Sequence, residues 1–158
     1  MSGPMQVDTI HSKALPDLIN KLLGERQEVL VLYHRLAEQK PYTDHSKMKP
    51  LLQHFCQVLV DYLALGHFEF YQCFNDQTLD NNCRQRIQNA IDDLYPKIAA
   101  TTQVAVAFND CYQGEEPCRD LSHFGHELSR LGEQLAERIE LEDRLIDAIR
   151  TTQTASAA

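Results

Sequence analysis

Three charged residues lie where the sequence pattern predicts a buried helix face. Arg26 interrupts one run of apolar residues spaced at threes and fours, and Arg138 and Glu142 interrupt another. Arg138 and Glu142 are four residues apart, a spacing that brings two side chains together on one side of a helix. A charge buried without a partner is strongly destabilising, so these groups must pair or reach water. They predict a buried polar network between the first and last helices.

Two interpretations of this network are open from the sequence. It could be a satisfied part of the core, or it could line a hydrated pocket for a small ligand or for catalysis. A straight helix also drifts away from a seven-residue repeat. Ile139 and Ile146 could therefore take the core positions and leave the charged groups at its edge.

A second grouping could bind a metal ion. Asp120, His123 and His126 recur every three residues near Cys118, so they could face one zinc ion. The cluster lacks a second set of ligands, and none of the seven histidines follows a Glu by three residues, the spacing that di-iron bundles use. The sequence also has no glycine-rich phosphate loop and no Gly-x-Ser-x-Gly motif. It therefore favours an interaction protein without metal or cofactor over an enzyme.

The most apolar stretch, residues 51–74, predicts a helix with one narrow polar face. Its apolar side chains cover most of the circumference, which is typical of a helix at the centre of a bundle. The remaining positions form one continuous stripe: Gln53, Gln57, Asp61, Ala64, Phe68, Gln72 and Asn75. An aromatic side chain beside an acidic one is typical of a contact surface. Alternatively, another helix covers Phe68.

Four long helical patterns position these residues, and no alternating strand pattern competes with them. The first pattern runs from about residue 14, with Ser12 as its cap, and the last ends near residue 150. We predict an all-α, antiparallel up-down four-helix bundle with long helices. The third helix should be kinked at Pro96, because an internal proline removes a helical hydrogen bond and clashes with the preceding turn.

The domain organisation follows from length and composition. The 158 residues suffice for one domain with a substantial core. We expect a flexible N-terminal arm over 1–12, a single helical-bundle domain over 13–150 and a flexible C-terminal tail over 151–158. The five cysteines are irregularly spaced without a Cys-x-x-Cys pair, which favours reduced thiols. With no signal peptide and no long uncharged apolar window, the expected location is the cytoplasm.

The charge balance restricts the class of partner. Against 15 Lys and Arg stand 23 Asp and Glu, giving a formal net charge of −8. Such a chain is a poor ligand for nucleic acid or for an anionic membrane, and a basic protein suits it better. The same charge is also common on ordinary solvated surfaces.

Three segments resemble the regulator-of-sigma-D family, the Rsd/AlgQ anti-sigma factors. FCQVLVDYLALGHFEFY is similar to a central helix of the family, LLGERQEVLVLYHRLAEQKP to its N-terminal helix and LGEQLAERIELEDRL to its C-terminal helix. The resemblance extends from about residue 15 to 149, and 76–116 is its least distinctive part. It implies an all-α protein that binds the housekeeping sigma factor and withholds it from core RNA polymerase, with a role in stationary phase.

The resemblance also implies where sigma binds. The family's target is the C-terminal region of sigma, a basic helix-turn-helix that reads the promoter −35 element. An acidic bundle could occupy that surface and exclude DNA from it. The resemblance makes Asp61 an important contact, and the predicted sigma-binding set is Asp61, Ala64, Leu65, Phe68 and Gln72.

Arg26, Arg138 and Glu142 match charged positions of the family's helices. We expect no direct nucleic-acid or membrane binding, and a second protein partner is possible. The alternative function is a ligand- or metal-binding helical bundle.

Overall fold

The computed structural model describes residues 4–66, 81–114 and 121–157, and side chains over 16–66, 81–114 and 121–152. These ranges contain four α-helices: α1 Pro4–Ala37, α2 His45–Ala64, α3 Asn81–Tyr112 and α4 Phe124–Ala157. A short 3₁₀ turn, Leu121–His123, precedes α4. No strand occurs in the described part of the chain. The predicted all-α helical bundle is confirmed.

The contacts between α3 and α4 follow a regular order. Hydrogen bonds join the two helices at three levels within the described ranges: Cys83 with Thr152, Thr101 and Thr102 with Arg138, and Tyr112 with Glu127. Residue numbers rise along α3 as they fall along α4, which is the order that antiparallel neighbours give. The up-down arrangement of all four helices stays a prediction. So does the kink at Pro96, which lies inside α3.

The outer helices extend further than the sequence pattern predicts. Because α1 begins at Pro4, Ser12 lies inside the helix rather than at its cap. At the other end, α4 continues through the segment TTQTASA to Ala157. Residues 5–15 of α1 and 151–157 of α4 contain neither proline nor glycine. Nothing in the local sequence therefore breaks the helix there. The predicted flexibility of both termini remains a prediction.

Asp44 determines where α2 begins. Its carboxylate accepts the backbone N–H of Lys47 at 3.1 Å and the hydroxyl of Ser46 at 2.9 Å. An Asp at this position satisfies one of the N–H groups that a helix start leaves unpaired. The helix consequently starts at His45, before the apolar stretch over 51–74, and Pro50 lies inside it.

The core draws apolar side chains from all four helices. Aromatic rings pack at one end, where Phe108 lies 5.9 Å from Phe55 and 4.8 Å from Tyr112 between ring centroids. Fully burying each large apolar side chain stabilises the fold by roughly 1.5–3 kcal/mol. No helix in the described ranges is long and apolar enough to cross a membrane.

Helices α1 and α4 lie close together at Gly132. The hydroxyl of Tyr33 on α1 donates to the carbonyl of Leu128 on α4 at 2.8 Å. A methyl group on Gly132 would overlap the Tyr33 hydroxyl. The glycine is therefore required by the distance between the helices rather than by its own backbone angles.

Candidate functional site

Arg138 and Glu142 form a buried ion pair on one side of α4. The Nε of Arg138 lies 3.1 Å from Oε2 of Glu142, and the two side chains are 3% and 4% exposed. Both residues therefore remain in the core. Ile146 is also buried, so the drift of the helix does not move the charged groups to the edge.

The ion pair is completed by hydroxyl groups from two other helices. Tyr62 on α2 donates its hydroxyl hydrogen to Oε1 of Glu142, the carboxylate oxygen that Arg138 does not use. Arg138 donates from Nη1 to the hydroxyls of Thr102, at 2.6 Å, and Thr101, at 3.3 Å, on α3. Its guanidinium carbon also lies 5.3 Å from the centre of the Tyr62 ring.

Arg26 connects this cluster to α1 and to the surface. Its Nη1 lies 2.8 Å from Asp143 and 3.6 Å from Glu142. The Asp143 side chain is 54% exposed, so the network reaches solvent there. The structure thus brings Arg26, Arg138 and Glu142 together, and every one of the four helices contributes a side chain to the same layer.

The protonation states in this layer follow from burial and charge. Burial and the nearby Glu142 carboxylate raise the pKa of Tyr62 well above its ordinary value, so the phenol remains a donor. Burial alone would lower the pKa of Arg26, but the hydrogen bond and charge of Asp143 outweigh it and raise that pKa. The charged groups satisfy one another, as a core network requires.

Several members of the network were not identified from the sequence. Tyr62 and Thr101 lie in apolar patterns that predict ordinary core positions, and Thr102 and Asp143 are ordinary polar residues of their helices. The available signal was the combination of hydroxyl side chains and charged side chains at core positions of different helices. Sequence spacing does not show which helices bring these positions to the same level.

The predicted contact stripe is described as far as Gly66. Asp61 is exposed, and its Oδ1 accepts a hydrogen bond of 3.1 Å from Gln57 one turn earlier. Ala64 is half-buried, whereas Leu65 is only 5% exposed and packs into the core. Three further members lie outside the described residues: Phe68, Gln72 and Asn75. An exposed apolar side chain, Val60, adjoins Asp61 on the outside of α2.

The stripe and the network meet at the end of α2. Tyr62, next to Asp61 in the chain, points inward to Glu142. Beyond Ala64, Leu65 and Gly66 lie in a π-type turn. At its start, the Leu65 N–H still donates to the carbonyls of Asp61 and Tyr62 in the last turn of α2. A Cβ added at Gly66 would lie 3.3 Å from Nη2 of Arg138.

The proposed zinc cluster is only partly described. Cys118 and Asp120 lie outside the described residues. His123 and His126 are exposed and line a cavity of about 570 Å³ between α3 and α4, together with Arg130. Among the residues that the structure describes, no group of three or more His, Cys, Asp or Glu is placed to hold a metal ion.

Three of the five cysteines fall in the described ranges, and Cys56, Cys83 and Cys111 are thiols there. Burial raises the pKa of Cys56 to about 12. A thiol with this pKa is protonated at neutral pH and reacts slowly.

Comparison with known proteins identifies the family. The family model described as "Regulator of RNA polymerase sigma(70) subunit, Rsd/AlgQ" matches residues 7–150. The chain belongs to the Rsd/AlgQ family. This membership confirms the resemblance that three helical segments indicated.

Individual Rsd/AlgQ relatives agree with this assignment. A regulator of sigma D from Yersinia pestis bv. Antiqua (strain Angola) is 35% identical over 135 residues, covering 82% of this chain and 78% of the relative. The protein of the same name from Yersinia enterocolitica is 36% identical over the same shares. One from Enterobacter sp. (strain 638) is 35% identical over 133 residues, again 82% and 78%. No solved structure matches the chain significantly.

Proposed function

We propose that this Rsd/AlgQ protein is an anti-sigma factor for the housekeeping, sigma-70 class sigma factor. It binds mainly the C-terminal −35-recognition region of sigma and withholds sigma from core RNA polymerase, thereby regulating transcription in the cytoplasm. The observation that carries the proposal is the match of the sigma(70) regulator family over residues 7–150. The protein acts by binding, without a catalytic step or a cofactor.

The outer face of α2 supplies the binding surface in this proposal. Asp61 is exposed, so its carboxylate can form a charge-assisted hydrogen bond with a Lys or Arg of sigma. Val60 offers an apolar contact beside it, and Phe68 and Gln72 extend the predicted stripe. Because Leu65 is buried, its contribution is to support the surface from beneath.

The charge of the whole chain supports the same partner. A helix-turn-helix that holds DNA phosphates carries Lys and Arg, and this chain has a formal net charge of −8. Opposite charges accelerate encounter, and an acidic protein on that surface keeps DNA away from it.

Titration calorimetry against the isolated C-terminal region of sigma tests the surface. Asp61→Ala and Phe68→Ala should each weaken binding by about 1–3 kcal/mol, the usual size for an anchor residue. Asp61→Ala should also reduce the salt dependence of binding, because it removes an attraction that salt screens. Phe68→Ala should leave the salt dependence unchanged and mainly speed dissociation.

Asp110→Ala is the matched control, since Asp110 is an exposed acidic residue on α3. It should bind like the unaltered chain. Circular dichroism of each variant checks that helix content is retained. Unaltered affinity in both Asp61→Ala and Phe68→Ala would remove this stripe from the interface.

A further inference from the structure

Gly66 follows the last turn of α2 and lies beside Arg138, a member of the buried network. A Cβ at this position would be 3.3 Å from Nη2 of Arg138, closer than side-chain carbons ordinarily pack. Gly66 is itself buried, at the point where α2 changes from an α-helix to a π-type turn. Such turns occur frequently at functional sites.

Arg138 cannot easily move away from Gly66. Its Nε bonds Glu142 at 3.1 Å, and its Nη1 bonds Thr102 at 2.6 Å on α3. The guanidinium also packs over the Tyr62 ring. Because these contacts hold the guanidinium and the side chain is only 3% exposed, the Nη2 atom is fixed in place beside the end of α2.

The backbone that carries Asp61 is fixed by the same groups. Tyr62 is tied to Glu142 through its hydroxyl. The carbonyls of Asp61 and Tyr62 both accept the N–H of Leu65, the residue before Gly66. A displacement of the chain at Gly66 would therefore be transmitted through Leu65 to the turn that holds Asp61 at the surface.

We propose that Gly66 and Arg138 are positioning residues for the surface that binds sigma: their close approach sets the height and rotation of the last turn of α2, and so the direction of Asp61. This inference rests on the proposed function. Neither residue touches the partner. They act because a rigid, pre-formed surface loses less conformational freedom on binding than one that must be ordered.

The test is a titration of Gly66→Ala against the C-terminal region of sigma. Its affinity should fall about tenfold, a typical loss when an anchor contact is weakened. Its salt dependence should fall as in Asp61→Ala, because a misdirected carboxylate no longer pairs with the partner. A purely structural role would leave the salt dependence unchanged.

Gly125→Ala provides a matched control. A Cβ there would be 3.1 Å from the Tyr42 ring, a similar crowding, but at the start of α4 rather than at the end of α2. This variant should lose comparable thermal stability and keep full affinity. Equal loss of affinity in the two glycine variants would overturn the proposal.

The contact is also tested from the side of the arginine. Arg138→Lys keeps the positive charge but removes the guanidinium nitrogens that face Gly66. Because it adds no bulk, it can be tested even if Gly66→Ala does not fold. The two substitutions should be non-additive in binding, because both change one contact. Additive effects, or unaltered affinity of Gly66→Ala while Asp61→Ala is impaired, would overturn the positioning role alone. Unaltered affinity of Asp61→Ala would remove the proposed surface, and with it this inference.

Discussion

Glu142 is the residue through which the buried network is held together. Its carboxylate accepts from Tyr62 and Arg138 and lies 3.6 Å from Arg26. Glu142→Ala leaves a buried guanidinium without its acceptor, and we expect unfolding to become easier by about 3 kcal/mol. Urea unfolding followed by circular dichroism measures this loss.

Glu142→Gln distinguishes the contribution of the Glu142 charge to stability from that of its hydrogen bonds. The amide oxygen can still accept from Tyr62, so this variant should lose less stability than Glu142→Ala. Asp143→Ala serves as a control, since that carboxylate is 54% exposed and its loss should cost much less. An unchanged urea midpoint for Glu142→Ala would contradict the buried network.

The close contact between α1 and α4 predicts that a larger side chain at position 132 destabilises the protein. Gly132→Ala drives a methyl group into the hydroxyl of Tyr33, which is itself bonded to the Leu128 carbonyl. We expect the free energy of unfolding to fall by about 1–3 kcal/mol, the usual cost of overpacking. Adding Tyr33→Phe should restore part of the loss, because it removes the atom that the methyl group meets.

A second glycine shows the opposite behaviour. Gly24 lies inside α1, and a Cβ there would meet nothing within 4 Å. Gly24→Ala should therefore stabilise the protein by up to about 1 kcal/mol through helix propensity alone. Thermal unfolding of both variants checks the pair. If Gly132→Ala were as stable as Gly24→Ala, α1 and α4 would not approach as the structure shows.

The cap of α2 predicts a dependence of stability on pH. Hydrogen bonds from the Lys47 N–H and the Ser46 hydroxyl lower the pKa of Asp44 in the folded protein. An ionised carboxylate that is favoured by folding contributes stability above its unfolded pKa, and this contribution is lost as the pH falls through the folded pKa. The difference in stability between the unaltered chain and Asp44→Asn should therefore be largest near neutral pH and should shrink as the solution becomes strongly acidic. Melting temperatures between pH 7 and strongly acidic pH measure this, and a difference independent of pH would show that Asp44 is not an ionised cap.

The helices were largely predictable because their patterns are long and periodic. The spacing of threes and fours from Ile87 to Tyr112 lies within α3, Asn81–Tyr112, and ends at the same residue. The ends were less predictable. In α1 and α4 the periodic apolar residues stop before the helices end, and the backbone continues as helix to Pro4 and to Ala157.

The buried charges were predictable as positions but not as a network. Arg26, Arg138 and Glu142 are visible because charge is unexpected in an apolar pattern. Their hydroxyl partners are not, because Tyr and Thr are common in ordinary cores. The π-type turn at Leu65–Gly66 was also missed, and so was the position of the Arg138 side chain beside Gly66, because spacing along one helix does not show which side chains of other helices lie near it.

In the whole molecule, the surface turn that carries the exposed Asp61 is connected through Tyr62 to a polar layer inside the bundle. All four helices contribute to this layer, so the surface turn that carries Asp61 is tied to the rest of the fold. The matching family is described as a regulator of the RNA polymerase sigma(70) subunit, and the formal net charge of −8 favours the basic partner that the proposed function requires.

The most direct measurement mixes this protein with purified sigma-70 class factor and core RNA polymerase and separates the mixture by size-exclusion chromatography. We expect a fraction that contains this protein and sigma without polymerase core subunits, and a matching decrease in holoenzyme. Asp61→Ala should shift sigma back to the core enzyme, and the shift should be smaller at high salt, where the charge contributes less. Elution of all sigma with the core enzyme at any excess of this protein would contradict the proposed sequestration of sigma.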